Sequence, residues 1–342
     1  MTWRRTLASS TRRQGLLALS AVGLMALLCV LLFALRRPGP AGAYPVRSHN
    51  AAWLGVEWVN EPHTTQEIDA LADQLCGMRI TTLYVYVSYM RPDGSFGASY
   101  AHASEFVDTL KRACPEVCVQ AWIGLPLAQR GPSAWEGHVE LWDLASREAI
   151  VAFCVHILQV ADFDGIHLDP EPVSSDDGSL LALLEETRSA VAEDYVLSLA
   201  SKRILWFGEG LLARTVRLVA WSPAYYRNVA ARVDEVALMT YDTMLPLPDL
   251  YRAWTHFQVV ALTRALEATG TRVFIGVPTS EERTWTHRPY AENMTSGLLG
   301  LLDGLADSAA RPDVVTGAAV YPLWETDEEE WATYVRLWLG EP

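Results

Sequence analysis

The sequence predicts an α/β fold, a (β/α)8 TIM barrel preceded by a single N-terminal transmembrane helix. Three observations carry that expectation. Eight short β-rich runs alternate with longer runs whose apolar residues recur every three or four positions. Strict alternation of this kind means parallel strands joined by crossover helices. Eight such units over about 290 residues suit a closed barrel. A doubly wound open sheet is the rival, but no glycine-rich phosphate fingerprint follows the first run.

The elements follow in order. Residues 1–14 form a short basic segment. Residues 15–35 (GLLALSAVGLMALLCVLLFAL) contain no charge, and at about 1.5 Å rise per residue they would span roughly 30 Å, the thickness of a bilayer core. Four arginines precede this run, and Arg36 and Arg37 follow it. The expected form is a single-pass anchor in the cell membrane, with the N-terminus inside and the barrel on the extracytoplasmic side. A cleaved export signal, giving a secreted protein, is the alternative; TRRQGLL (11–17) loosely resembles a twin-arginine signal, and Ala41-Gly42-Ala43 would serve as a cleavage site. Residues 36–50 carry Pro, Gly and Ala without periodicity and read as a linker.

The barrel itself is expected over residues 51–342. Its strands are read at 53–59, 81–87, 117–125, 165–171, 195–201, 235–241, 272–279 and 315–323. Helical patterns such as TTQEIDALADQLCGMR and SREAIVAFCVHILQVAD lie between them. Seven arginines and no acid fall in residues 1–50, leaving 20 of the 27 basic residues to face all 41 acidic ones. Such a body repels nucleic acid, which is excluded as a partner.

The cysteines give no zinc-like spacing, and neither a metal nor another cofactor is expected. Export would permit disulfides. Cys114 and Cys118 could close a small loop, or Cys76, Cys114, Cys118 and Cys154 could all be buried thiols.

Chemistry concentrates at the fourth run, DFDGIHLDPEP (162–172), where His167, Asp169 and Glu171 occupy every second position. Strand side chains alternate faces, so the three point the same way. Burying charge without a partner is costly. In a barrel the C-terminal strand ends carry the active residues, which puts Asp169 and Glu171 at the mouth and His167 in the interior below them. Acids ahead of SSDDGSLLALLEE could also merely favour a helix start. The sixth run ends with Met239 and Tyr241 on one face and Asp242 at the rim, and the eighth places Trp324 at its mouth.

This set resembles the family 18 glycoside hydrolases, the chitinase-like barrels. Their fourth strand carries DGxDxDxE, matched by Asp164-Gly165, Asp169 and Glu171; their sixth carries MxYD, matched by Met239, Tyr241 and Asp242; their eighth carries a Trp, matched by Trp324. The resemblance implies retaining, substrate-assisted cleavage of a glycan containing N-acetylhexosamine, chitin-like or peptidoglycan. Glu171 would protonate the glycosidic oxygen, Asp169 would orient the acetamide, Tyr241 would bond its carbonyl, and Trp324 would floor the sugar. Two departures stand out: His167 replaces the family's inner Asp, and the third-strand SxGG is absent, with Trp122-Ile123-Gly124-Leu125 in its place. A histidine there is expected to hydrogen-bond Asp169 and hold it ionised, or to be a satisfied interior group.

Glu57, read as ending the first strand, would make an ordinary carboxylate pair with Glu171 if it faced it. Trp58 and Trp221 fall near strand ends, where flat rings stack on sugars, whereas Trp254, Trp331 and Trp338 lie in helical patterns and read as core. Asn293-Met294-Thr295 is a glycosylation sequon. The rival from another class is a non-hydrolytic carbohydrate-binding protein on the same fold; the presence of Glu171 favours the enzyme.

Overall fold

The structure is a computed structural model that describes residues 48–129, 137–205 and 220–341. The expected membrane span and nearly all of the linker lie outside the described residues. Among those described, no helix is long and apolar enough to cross a membrane.

Eight parallel strands close into one barrel in sequence order. They are β1 (Asn50–Leu54), β2 (Ile80–Tyr89), β3 (Cys118–Pro126), β4 (Gly165–Glu171), β5 (Val196–Ser201), β6 (Glu235–Leu238), β7 (Arg272–Pro278) and β8 (Val315–Tyr321). Outward side chains such as Leu83, Val85, Ile166, Leu168, Leu197 and Leu199 pack under the outer helices in one continuous apolar shell. Asn50 fastens the closure: its side-chain oxygen accepts from Ala318 N–H of β8 (3.1 Å) and from Trp338 Nε1 (2.7 Å).

Several helices begin where a side chain satisfies the first free backbone N–H groups. Thr64 and Glu67 form a capping box, Asp143 caps the helix Leu144–Val160, and Asn293 caps Met294–Ala306 through Ser296 N–H. Asn293 of the sequon thus has a structural task. Asp177 caps Gly178–Ala190, so that helix start does not draw on Asp169 or Glu171.

Two strand ends differ from the reading of the sequence. The first strand lies at 50–54 rather than 53–59, because the chain turns at Gly55 into a one-turn helix, Glu57–Asn60. The eighth ends at Tyr321, and Trp324 sits in the short turn Leu323–Glu325 beyond it. The cysteines also pair otherwise than the short loop suggested. Cys76 is bonded to Cys114, joining the helix Thr65–Gly77 to the residue after Ala103–Ala113, while Cys118 and Cys154 are free thiols.

The barrel interior is unusual in being aromatic and polar. Ala51, Trp53, Tyr84, Trp122, Ala237, Phe274 and Ala319 form its inner cluster. Below them runs a buried hydrogen-bonded chain. Ser198 Oγ donates to Gln120 Oε1 (2.5 Å), Gln120 Nε2 donates to Glu235 Oε2 (2.7 Å), and Arg272 pairs with Glu235 at 2.7 Å. Buried polar groups are tolerated when each finds a partner.

Candidate active site

Asp164 and Gly165 open β4 for structural reasons. Asp164 Oδ2 accepts from Val119 N–H (2.7 Å) and its other oxygen pairs with Lys111 (2.7 Å). A Cβ on Gly165 would stand 2.2 Å from the carbonyl of Val196, so only glycine lets β4 approach β5.

His167 follows and is wholly buried. Trp53 Nε1–H donates to its Nε2 (3.2 Å), which places the ring proton on Nδ1, facing Ser198 Oγ at 2.7 Å. Tyr84 stacks on the ring with centroids 3.8 Å apart. Burial holds the imidazole well below its usual pKa, so it is neutral. The expected bond from His167 to Asp169 is not the one formed: both ring nitrogens are engaged with Trp53 and Ser198. The alternative reading, a satisfied interior histidine, is the one that fits.

Asp169 is gripped from β3 instead. Trp122 Nε1–H donates to Oδ2 at 3.1 Å, and Oδ1 is buried with no hydrogen-bond partner among the described residues. Burial, reinforced by the charge of Glu171, pushes the carboxyl up to about 8. Glu171 ends β4, and its side chain reaches solvent in the mouth. The protein walls around it push its carboxyl above the ordinary range; Lys202 and Arg203 oppose that rise and Asp242 adds to it. Two interacting acids in one site lose their protons in steps that belong to the pair.

Tyr241 comes from across the barrel. Its ring stacks on Tyr321 of β8, with centroids 4.9 Å apart and planes at 9°. Burial raises the phenol well above its ordinary pKa, so it keeps its proton. Met239 precedes it on the same face, half-buried, its N–H continuing the ladder to Ser201 O (2.9 Å). Asp242 takes a left-handed backbone (φ 58°), a conformation Asp tolerates better than most residues. Two grips hold it there. Glu292 accepts from Asp242 N–H (2.7 Å) and Thr243 N–H (3.0 Å), while Arg203 donates to the carbonyls of Tyr241 and Asp242 (both 3.1 Å). His287 stands behind Glu292 at 3.2 Å.

The other expected residues divide. Trp324 is 47% exposed and meets the ring of Tyr321 edge-on at 6.0 Å, so it lies at the rim. Trp221 is not brought to the mouth: it is buried, its Nε1–H donates to Val173 O, and Tyr225 and Tyr226 cover it. Trp58 is not there either, since it stacks on His63 (4.3 Å) and packs against Phe106 of an outer helix. Glu57 heads the one-turn helix after β1 rather than ending a strand, and its carboxylate covers Gly55. Trp254, Trp331 and Trp338 are buried in the core.

The reading of the sequence missed Lys202, Arg203, Trp122, Trp53, Tyr86 and Tyr321. Tyr86 and Tyr321 flank the inner aromatic cluster, and Trp122 meets both of them edge-on. Period-2 parity from Ser198 would have found Lys202. A cavity of about 630 Å³ opens among Glu193, Asp194, Asp234 and Arg272, at the N-terminal ends of β5 to β7. It contains none of the mouth's acids and is the wrong end of a barrel for chemistry. Among the described residues no cluster of side chains could hold a metal ion.

No protein-family model matches the sequence, and no curated protein matches it. Solved structures do. The spore cortex-lytic enzyme SleL of Bacillus cereus aligns at 12% identity and TM-score 0.55, over 87% of this chain and 76% of that one. The chitinase RmChi1 of Rhizomucor miehei aligns at 14% and 0.55, over 86% and 99%. A GH18 chitinase of Cycas revoluta, solved with (GlcNAc)4, aligns at 14% and 0.55, over 85% and 98%. The chain has the fold of the family 18 chitinases. At these identities the family 18 likeness is one of architecture, and the chemistry rests on the residues at the mouth.

Proposed function

We propose that the protein is a retaining glycoside hydrolase that cleaves a glycan containing N-acetylhexosamine with help from the substrate's own acetamido group. The observation that carries this reading is the placement of Asp169 and Glu171 on one face at the C-terminal end of β4, with Tyr241 beside them. Glu171 reaches solvent, and the protein walls raise its pKa, the direction needed by a group that gives a proton to the glycosidic oxygen. The acetamido oxygen attacks the anomeric carbon as the leaving group departs. Asp169 Oδ1, buried and unpartnered, faces the acetamide nitrogen, and in its ionised form the carboxylate balances the developing positive charge. Tyr241 donates its retained proton as a hydrogen bond to the acetamido carbonyl. Water then opens the cyclic intermediate, with Glu171 acting as base.

The two-carboxylate reading loses support, because Glu57 heads the one-turn helix after β1 rather than ending a strand, with its carboxylate over Gly55. A non-hydrolytic sugar-binding protein is favoured by one observation: His167, engaged with Trp53 and Ser198, does not exchange a proton with Asp169. Cleavage of chitin oligosaccharides and of peptidoglycan glycan, set against de-N-acetylated analogues, decides. Hydrolysis confined to the acetylated substrates supports the proposal; binding without cleavage across both sets supports the rival. The uncharged run 15–35 supports attachment of this activity to the outer side of a membrane.

A further inference from the structure

Lys202 stands one residue past β5. The ladder pairs His167 with Ser198 and Leu168 with Leu199; carried three residues further, it sets Glu171 beside Lys202. Ser198 points into the barrel, where it meets His167 and Gln120, so parity turns Lys202 inward as well. Neighbouring strands lie about 4.8 Å apart. Lys202, just past β5, and Glu171, at the end of β4, therefore stand on the same face.

We propose that Lys202 is the positioning charge of the mouth, holding the Asp169–Glu171 pair with one proton and one negative charge. The inference rests on the reading of Glu171 as the general acid. Two carboxyls in a walled mouth repel one another, and burial alone would keep both neutral. A substrate-assisted reaction needs one protonated and one ionised. The other cation at hand, Arg203, has its guanidinium committed to the carbonyls of Tyr241 and Asp242. The remaining titratable groups around the pair cannot supply positive charge: Asp242 is acidic, and Tyr86, Tyr241 and Tyr321 are phenols kept neutral by burial. In return, burial brings Lys202 down to about 8, with Glu171 the foremost force holding it up.

The test is a carboxyl and ammonium titration by NMR on the folded protein, read beside the pH–activity profile. Lys202→Met should move the titrations of Glu171 and Asp169 to higher pH by on the order of one to three units. Both limbs of the activity profile should follow, and Lys202→Arg should leave the limbs in place. Lower activity with unmoved limbs would mean a merely structural role and would overturn the proposal. If Lys202→Met does not fold, the reciprocal measurement decides. Glu171→Gln in the otherwise native protein should lower the Lys202 titration, and no change overturns the proposal. If the titrations move but no glycan is ever cleaved, Lys202 keeps its role while the hydrolase reading falls.

Discussion

Trp53 Nε1–H points at Nε2 of His167 from 3.2 Å, deep in the barrel. Nε2 must carry a lone pair to accept it, so the ring is the Nδ1–H tautomer and is neutral. The imidazole therefore binds a proton in the unfolded chain near its ordinary pKa but not in the fold, where burial keeps it well below that value.

The sign of the resulting pH dependence follows. Below about pH 6.5 the unfolded state binds more protons than the native one, so stability rises with pH up to about 6.5 and levels off above it. The difference in unfolding free energy between the native protein and His167→Gln at pH 5.0, 6.0 and 7.0 should show this rise, since the raised Asp169 carboxyl pulls the total the other way. In His167→Gln the share due to this group should vanish. A ring that titrates inside the folded protein between pH 5 and 7, by NMR, would contradict the assignment.

Substitution at the mouth should separate the roles. Glu171→Gln keeps the size and loses the acidic proton; hydrolysis should fall by at least about 10²–10⁴-fold. Asp169→Asn should be severely impaired as well. Since burial raises the Asp169 carboxyl to about 8, its ionisation costs the fold stability as pH rises from the ordinary carboxylate range towards 8. Asp169→Asn should therefore raise Tm at pH 8 and lose that gain at pH 4. Tyr241→Phe should lose about 1.5–3 kcal/mol of transition-state stabilisation, the worth of one hydrogen bond to a charged centre. Glu57→Gln should retain most activity; failure equal to that of Glu171→Gln would restore the two-carboxylate reading.

The fold and the end of β4 were legible because both are periodic signals. The alternation of runs gives parallel strands, and the DPE parity survives into the structure with the same strand bounds, 165–171. The misreadings come where period alone is ambiguous. WLGVEWV looks like a strand, yet its second half is a helical turn after Gly55, and a short apolar run does not distinguish the two. VYPLWE continues an apolar run, but Pro322 brings no N–H to a ladder, so Tyr321 takes the strand end and Trp324 the rim. Lys202 hid in SKRI, one residue past β5, and only the β4–β5 register, extended beyond its last pair Leu168–Leu199, brings it towards Glu171. Cys76 and Cys114, 38 residues apart, are brought together only by helix packing.

That disulfide gives a prediction of its own. Its removal by Cys76→Ser with Cys114→Ser should cost about 2–4 kcal/mol of stability, by freeing the unfolded chain. Alkylation of the denatured, unreduced protein should label Cys118 and Cys154, and peptide mass spectrometry should find Cys76 linked to Cys114. A label on Cys76 would refute the pairing. In the native protein Cys118 and Cys154 should react slowly, because burial pushes both thiols up to about 12.

The apolar run 15–35 should retain the protein in the membrane fraction after alkaline carbonate washing, with the barrel digestible by protease added to intact cells or spheroplasts. Recovery of a soluble form beginning near residue 44 would support a cleaved signal instead. A membrane-bound barrel that is protected, yet cut once the membrane is breached, would reverse the orientation.

Glu292 offers the last prediction. One buried carboxylate accepts from the N–H groups of Asp242 and Thr243 and from the Thr243 hydroxyl (2.6 Å), fixing the turn that follows Tyr241. His287, held between Glu292 and Ser280 O (2.9 Å), has its pKa raised by those two hydrogen bonds against the opposing pull of burial. Its proton is thus bound more tightly in the fold than in the unfolded chain. That contribution to stability is full below about pH 6.5 and is lost as pH rises through the raised value. Glu292→Gln keeps one acceptor oxygen but cannot serve both backbone N–H groups and the imidazole, and it removes the charge behind them. The turn should loosen where Asp242 already occupies a left-handed backbone. Because Glu292 touches no substrate in the proposed reaction, the loss should appear in KM and in hydrogen exchange at Asp242 and Thr243. An ionisable group of the reaction itself would instead shift the pH limbs of kcat. Unchanged exchange at those two amides in Glu292→Gln would mean that Arg203, bonded to the carbonyls on the other side, holds the turn without it.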